Sequence, residues 1–293
     1  MSDRKSKRER KTGYYLLAAP AILLSLSVVL IPAVTTIYAS FTEWNGMGEM
    51  KWIGLQNFKD ILGDPIFMTS LKNNFRWTLI FLIVPVTIGM VAAVLLINMK
   101  KTKNMFQTFY LIPYILAPST NAVIWLNIMF SPNAGVIGYL KDLGLDISSP
   151  LGNMSSALYG VVGVDIWHYW GFLTVIYLAA LRQTPIDQIE SARVEGGNAW
   201  QIYRYIYLPN IMPTVKLMFV MIVIYSFLSF DYVYLLTGGG PAHATELLST
   251  FAYSTAFSAF KFGRSAAVSV VMGIFGSVAA FCYVWISRKD VAE

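Results

Sequence analysis

Six long apolar stretches constrain this chain more than any other feature of its sequence: Tyr14 to Phe41, Phe75 to Asn98, Phe106 to Phe130, Ala157 to Leu181, Val215 to Leu236 and Ser265 to Ser287. At about 1.5 Å of rise per residue, each run of roughly 20 to 28 residues can cross a hydrocarbon layer about 30 Å thick. None shows the alternation of a barrel strand, and inside lipid only helices or closed barrels satisfy the backbone. The expected fold class is an all-α polytopic membrane protein with six transmembrane helices. Composition agrees: of 293 residues, 56% are hydrophobic and 13% charged, with a mean hydropathy of +0.56.

The net charge of +6 does not point to nucleic acid, because the basic residues fall between the apolar runs in alternate gaps. Arg4, Lys5, Lys7, Arg8, Arg10 and Lys11 precede the first run. Lys100, Lys101 and Lys103 follow the second, Arg182, Arg193, Arg204 and Lys216 follow the fourth, and Arg288 and Lys289 follow the last. This positive-inside pattern predicts that both termini face the cytoplasm in a multi-pass membrane protein. The expected division is a basic tail at 1–13, a first helix at 14–41, and a membrane domain at 70–288 that includes a cytoplasmic loop at 182–213. The first run is about twice a signal-peptide core and reads as a retained anchor. Trp44, Trp52, Ile53, Leu55, Phe58, Ile61 and Leu62 make the first outer loop amphipathic, as in an interfacial aromatic belt. The single cysteine, Cys282, excludes a disulfide framework.

The gap after the fourth run carries more local structure than a connection needs. Thr184 suits an N-cap, Pro185 a first helical position and Asp187 the positive end of a helix. Gly196-Gly197 should end that helix, and Asn198 should cap a second one that runs until Pro209 and Pro213 interrupt it. Glu190 pairing with Arg193 on one helix face would be an ordinary solvated pair.

Glu190-Ser191-Ala192, three residues, Gly196, nine residues, Ile206, one residue and Leu208-Pro209 resemble the EAA motif of membrane subunits in binding-protein-dependent ABC importers. Ser191, Glu195 and Gly197 stand where that motif more often has Ala, Asp and Ala. The resemblance implies that Glu190, Ser191, Ala192, Gly196, Ile206, Leu208 and Pro209 form a coupling element docked on an ATPase. A second stretch, Leu236-Thr-Gly-Gly-Gly-Pro241 with Ala-His-Ala-Thr245 after it, is similar to carbohydrate-type permeases related to the maltose and glycerol-3-phosphate systems. The two resemblances cover about Phe75 to Arg288. Together they imply a second homologous permease subunit, two ATPase subunits that bind ATP and Mg, an extracytoplasmic solute-binding protein and a carbohydrate solute. No cofactor is expected in this chain.

In such permeases the solute cavity lies near mid-membrane, lined by the helices on either side of the EAA loop. On the fourth run Asp165, His168, Tyr169 and Phe172 share a helical face. Hydrogen-bonding groups beside aromatic rings suit a sugar. On the fifth, Ile222, Ser226 and Ser229 share another face, with Tyr225 and Asp231 adjacent. Interhelical hydrogen bonding competes as the role of Ser226, Ser229 and Asn121. No catalytic constellation is present, His168 and His243 are isolated, and no phosphate-binding loop followed by Lys-Ser/Thr occurs, so neither a metal site nor an ATPase is expected in this chain. Two alternatives remain at this stage: an ion-gradient-driven secondary carrier using Asp165 or Asp231, and a non-transporting assembly subunit.

Overall fold

The computed structural model describes residues 17–99 and 101–292 of the backbone, and side chains as far as Ile286. The basic tail at 1–13, Tyr14 and Lys100 lie outside the described residues, as do the side chains of Arg288 and Lys289. Among the described residues, five helices are long and apolar enough to span a membrane, and a sharply bent pair supplies a sixth crossing. The all-helical expectation therefore holds, with two of the six crossings built differently from a simple rod.

The chain divides into two compact units. The first comprises residues up to 63 together with 252–271. It contains α1 (Leu17–Ala39), a two-residue hairpin of β1 (Thr42–Glu43) and β2 (Lys51–Trp52), and α2 (Gln56–Leu62). α1 has no buried residue in its most apolar window. Asn57 on α2 is buried, and its Nδ2 donates to the carbonyls of Ser40 (3.0 Å) and Thr42 (2.8 Å), which pins the hairpin to the end of α1. Phe41 stacks on Trp52 at 5.4 Å and touches Phe58 at the same distance. The aromatics of the amphipathic loop thus pack on one another.

The second unit spans 64–251 and 272–293. It holds α3 (Pro65–Ile97), α4 (Lys103–Ile115), α5 (Pro118–Met129), α6 (Val136–Asp142), α7 (Ala157–Leu181), α8 (Ile186–Val194), α9 (Ala199–Leu228) and α10 (Asp231–Leu236). The helices α11 (Leu248–Phe257) and α12 (Phe262–Ala292) contribute to both units. α7 matches the fourth apolar run end to end and is the most buried span. It packs along α3, where a side chain on Gly89 would come within 2.9 Å of Leu173, around a core that includes Trp77, Phe81, Leu173, Tyr177, Leu181 and Ile222.

Several boundaries differ from those read off the apolar runs. α3 starts ten residues before Phe75, because Asp64 caps it through Ile66 N (2.8 Å) and Phe67 N (3.4 Å), and Pro65 suits its first turn. Its early polar residues Ser70, Asn73 and Asn74 are buried inside the protein rather than left in water. The third run is not one rod: α4 and α5 meet at a 95° bend. Pro118 has no N–H and disfavours helical backbone at Ala117, and Leu116 and Ala117 are extended, with ψ of 140° and 142°. The fifth run breaks at Ser229, whose ψ of 126° separates α9 from the short α10.

α4 crosses α7 at Gly171, where an added Cβ would run into the Tyr110 carbonyl. Nothing lies within 4 Å of the same atom on Gly163, two turns earlier. Gly171→Val should therefore force the helices apart at a cost of about 1–3 kcal/mol. Thermal melting of the detergent-solubilised chain should show a lowered Tm for Gly171→Val and an unchanged one for Gly163→Ala.

Candidate functional site

The loop between α7 and α9 is ordered by its own sequence. α8 ends at Val194, and the next residues close it in a Schellman arrangement. Gly196, at φ +84°, donates its N–H to Arg193 O (3.1 Å), and Gly197 N–H reaches back to Ala192 O (2.8 Å). Gly196 occupies left-handed backbone, and a Cβ on Gly197 would lie 2.8 Å from Ala192 O, so each glycine is required for a different reason. Asn198 then opens α9 with a reciprocal capping box: Gln201 N donates to Asn198 Oδ1 (2.9 Å), and Asn198 N donates to Gln201 Oε1 (2.8 Å).

Two local expectations are corrected. Thr184 does not cap α8. Pro185 holds extended backbone at ψ 129°, so the helix begins at Ile186 and the Thr184 hydroxyl is buried without a hydrogen-bond partner. Asp187 does sit in the first turn. Nor do Pro209 and Pro213 interrupt the second helix. A π-turn at Tyr203–Tyr207, closed by Leu208 N to Tyr203 O, widens the helix just where Pro209 lacks an N–H, and α9 continues to Leu228.

These caps fix which face of the loop is outward. Ile189 and Ile202 are buried and anchor it, and Asn210 Nδ2 donates to Gln188 Oε1 (2.9 Å), tying α9 to α8. Glu190 and Ser191 are exposed, Ala192 is half-buried, and Val194 is 89% exposed. Asp187, Glu190, Ser191, Val194 and Glu195 line an open concavity of about 400 Å³. Glu190 is exposed and, among the described residues, makes no ion pair with Arg193. On the other side of the turn Ala192, Gly196 and Ile206 border a second hollow of about 370 Å³, and Leu208 and Pro209 begin the straight part of α9.

The candidate solute face lies in the interior. Asp165 is fully buried, and Tyr225 donates its hydroxyl to Asp165 Oδ1 (2.9 Å) while Oδ2 has no partner. Tyr169 stacks on Tyr225 at 4.9 Å, Phe81 borders both, and Tyr114 stacks on Phe172 at 4.7 Å. Asp165, Tyr169 and Phe172 are thus gathered into one aromatic wall with a carboxylate set in it. The His168 ring packs beside Tyr114 at 5.2 Å and also reaches the bend. Its Nδ1 lies 2.9 Å from Pro113 O, a carbonyl left without a helical donor where α4 breaks, and Asn121 Nδ2 donates to the same oxygen (3.0 Å) and to Tyr232 Oη (3.0 Å).

The α9 residues are less open. Ile222 and Ser226 are fully buried, and the Ser226 hydroxyl donates to Ile222 O within its own helix (2.7 Å). The carbonyl of Ser226 accepts from Asn74 Nδ2 (2.9 Å), and that of Ser229 accepts from the Ser249 hydroxyl. Sequence reasoning missed Tyr114, Tyr232 and Phe81 as parts of the wall. The helices of Tyr114 and Tyr232 reach it through the bend at Leu116-Ala117 and the break at Ser229, which hydropathy does not register, whereas Phe81 lies on the unbroken α3.

Residues 85–289 match the family described as binding-protein-dependent transport system inner membrane component. A probable ABC transporter permease protein of Pyrococcus horikoshii is 34% identical over 94% of this chain and 95% of that one. A probable starch degradation products transport system permease protein of Thermoanaerobacterium thermosulfurigenes is 29% identical over 96% and 95%, and the sn-glycerol-3-phosphate transport system permease protein of Agrobacterium fabrum is 28% identical over 94% of each. The fold is that of a chain in the crystal structure of a bacterial alginate ABC transporter in complex with alginate pentasaccharide-bound periplasmic protein: the TM-score is 0.86 at 21% identity, with 97% of this chain and 96% of that one covered. This chain belongs to the binding-protein-dependent transport system inner membrane components, the permease subunits of ABC transporters.

Proposed function

We propose that this chain is the membrane-spanning subunit of an ATP-driven importer that moves a carbohydrate, an oligosaccharide or related polyol, across a prokaryotic inner membrane by alternating access. The observation that carries the coupling part is the doubly capped loop, which holds α8 rigidly with Glu190, Ser191 and Val194 outward. A loop serving only as a connection needs no such caps. In this reading the loop is cytoplasmic, as are both termini, and α8 docks on one of two separate ATPase subunits that bind ATP and Mg and carry out hydrolysis. α8 is joined to α7 on one side and α9 on the other, so a displacement of α8 reaches both helices of the aromatic wall. A second permease subunit completes the pathway, and an extracytoplasmic solute-binding protein delivers the cargo.

Carbohydrate as the solute is supported by the relatives named for transport of starch degradation products and sn-glycerol-3-phosphate, and by the wall itself. Tyr169, Tyr225, Phe172 and Tyr114 offer ring faces to sugar C–H groups, and the Tyr169 hydroxyl bonds to no other described group. An ion-gradient-driven carrier would instead use buried Asp165, and would transport in vesicles without ATP or any other subunit.

Two experiments on the assembled transporter in proteoliposomes test this. Glu190→Ala, at an exposed position, and Gly197→Val, which breaks the Schellman turn, should both leave the protein in the membrane but lower uptake per ATP hydrolysed at least about tenfold. Unchanged uptake in both variants would remove the coupling role. Tyr169→Phe keeps the stack and deletes one hydroxyl. It should raise KM for uptake about two- to tenfold, as expected for one lost hydrogen bond. An unchanged KM would take Tyr169 out of the solute path.

A further inference from the structure

The first unit contains two adjoining cavities of opposite character. One, of about 420 Å³, is lined by Glu43, Asp60, Lys261 and Arg264, by the amides of Asn45, Gln56 and Asn57, and by the rings of Trp44 and Phe260. The other, of about 230 Å³, runs between α1 and α12 past Thr35, Thr36, Ala39, Phe262, Ala266 and Ser269. Trp44 lines both.

Their positions along the spans differ in a telling way. α1 ends at Ala39 and α12 begins at Phe262, so the charged cavity sits where two spans leave the hydrocarbon, and the narrow one lies alongside their membrane-embedded turns. The hydroxyls lining the narrow cavity are already bonded to carbonyls: Thr35 to Ile31 O (2.9 Å), Thr36 to Pro32 O (2.9 Å), Ser265 to Ala252 O (2.7 Å) and Ser269 to Ser265 O (3.1 Å). Its surface therefore offers a ligand little but apolar contact. In the charged cavity the Glu43 carboxylate and the Lys261 ammonium make no hydrogen bond or ion pair with any described residue, and the Trp44 indole N–H is buried without an acceptor. Phe260, at φ +55°, holds its ring at the cavity from left-handed backbone that a bulky residue seldom adopts.

We propose that these joined cavities form a phospholipid site, with a zwitterionic headgroup bearing a primary ammonium in the charged cavity and an acyl chain in the groove between α1 and α12. Two cations, Lys261 and Arg264, suit the phosphodiester, and two carboxylates, Glu43 and Asp60, suit an ammonium that can donate N–H bonds. A choline headgroup has no such donors, and a glycerol headgroup has no positive charge. The indole N–H of Trp44 would donate to a phosphate or ester oxygen at the junction.

Native mass spectrometry of the full chain in detergent tests this, with phosphatidylethanolamine, phosphatidylcholine and phosphatidylglycerol of identical acyl chains added in turn. The wild-type chain should retain one phosphatidylethanolamine about tenfold more tightly than either of the others. Glu43 and Lys261 are exposed and unbonded, so replacing them leaves the fold intact. Glu43→Gln should abolish the preference for ethanolamine, and Lys261→Gln should weaken all three lipids, which share the phosphate. Equal retention of the three by the wild-type chain, or a preference untouched by both variants, would overturn the site. Displacement of the lipid by a soluble oligosaccharide would overturn it too, and would assign the charged cavity to solute.

Discussion

A helix that breaks inside lipid strands its last carbonyls where no water can reach them, at several kcal/mol for each. This chain breaks two of its spans, and its architecture depends on how those carbonyls are answered. At the α4–α5 bend, Asn121 and His168 converge on Pro113 O. At the end of α9, Asn74 reaches Ser226 O and the Ser249 hydroxyl reaches Ser229 O. Asn74 also accepts from Leu248 N (2.8 Å), and the neighbouring Asn73 donates to Ala244 O and Glu246 O, so α3 fixes the whole segment that follows α10.

These polar ties have a consequence for function. The bend turns Tyr114 onto Phe172, and the break at Ser229 frees α10 to bring Tyr232 up to Asn121 and His168. The aromatic wall around Asp165 is thus assembled from helices that could not all reach it as straight rods. α7 and α9, which carry its centre, are joined through the capped loop, with α8 tied to α9 by Gln188 and Asn210. The capped loop and the wall lie within a single unit of the chain and are joined through α7 and α9.

Much of this was legible in the sequence. The apolar runs located every crossing, and α7 was placed at its observed ends, because a span flanked by polar loops is bounded by hydropathy alone. The Gly196-Gly197 stop and the Asn198 cap followed from local backbone chemistry, which needs no partner elsewhere. What hydropathy could not show depended on distant groups. At the bend before Pro118, Asn121 and His168 answer the Pro113 carbonyl, and in the buried early turns of α3 Asn73 and Asn74 bond carbonyls more than 150 residues away. His168, grouped with Asp165 by spacing, also bonds Pro113 O at the bend, a contact that spacing does not show. Thr184 missed the cap position by one residue because Pro185 stayed extended.

In the proposed importer α8 is the point at which an ATPase grips this chain, and proximity tests that most directly. Val194 is 89% exposed on the outward face of α8, and Cys282 is the chain's one cysteine. In a Cys282→Ser background, Val194→Cys carrying a short photo-crosslinker should, in the assembled transporter, yield a single adduct with the ATPase subunit. The same label introduced by Tyr139→Cys on α6 should give none with that subunit. Absence of an ATPase adduct at Val194, or an equal yield at Tyr139, would contradict the account.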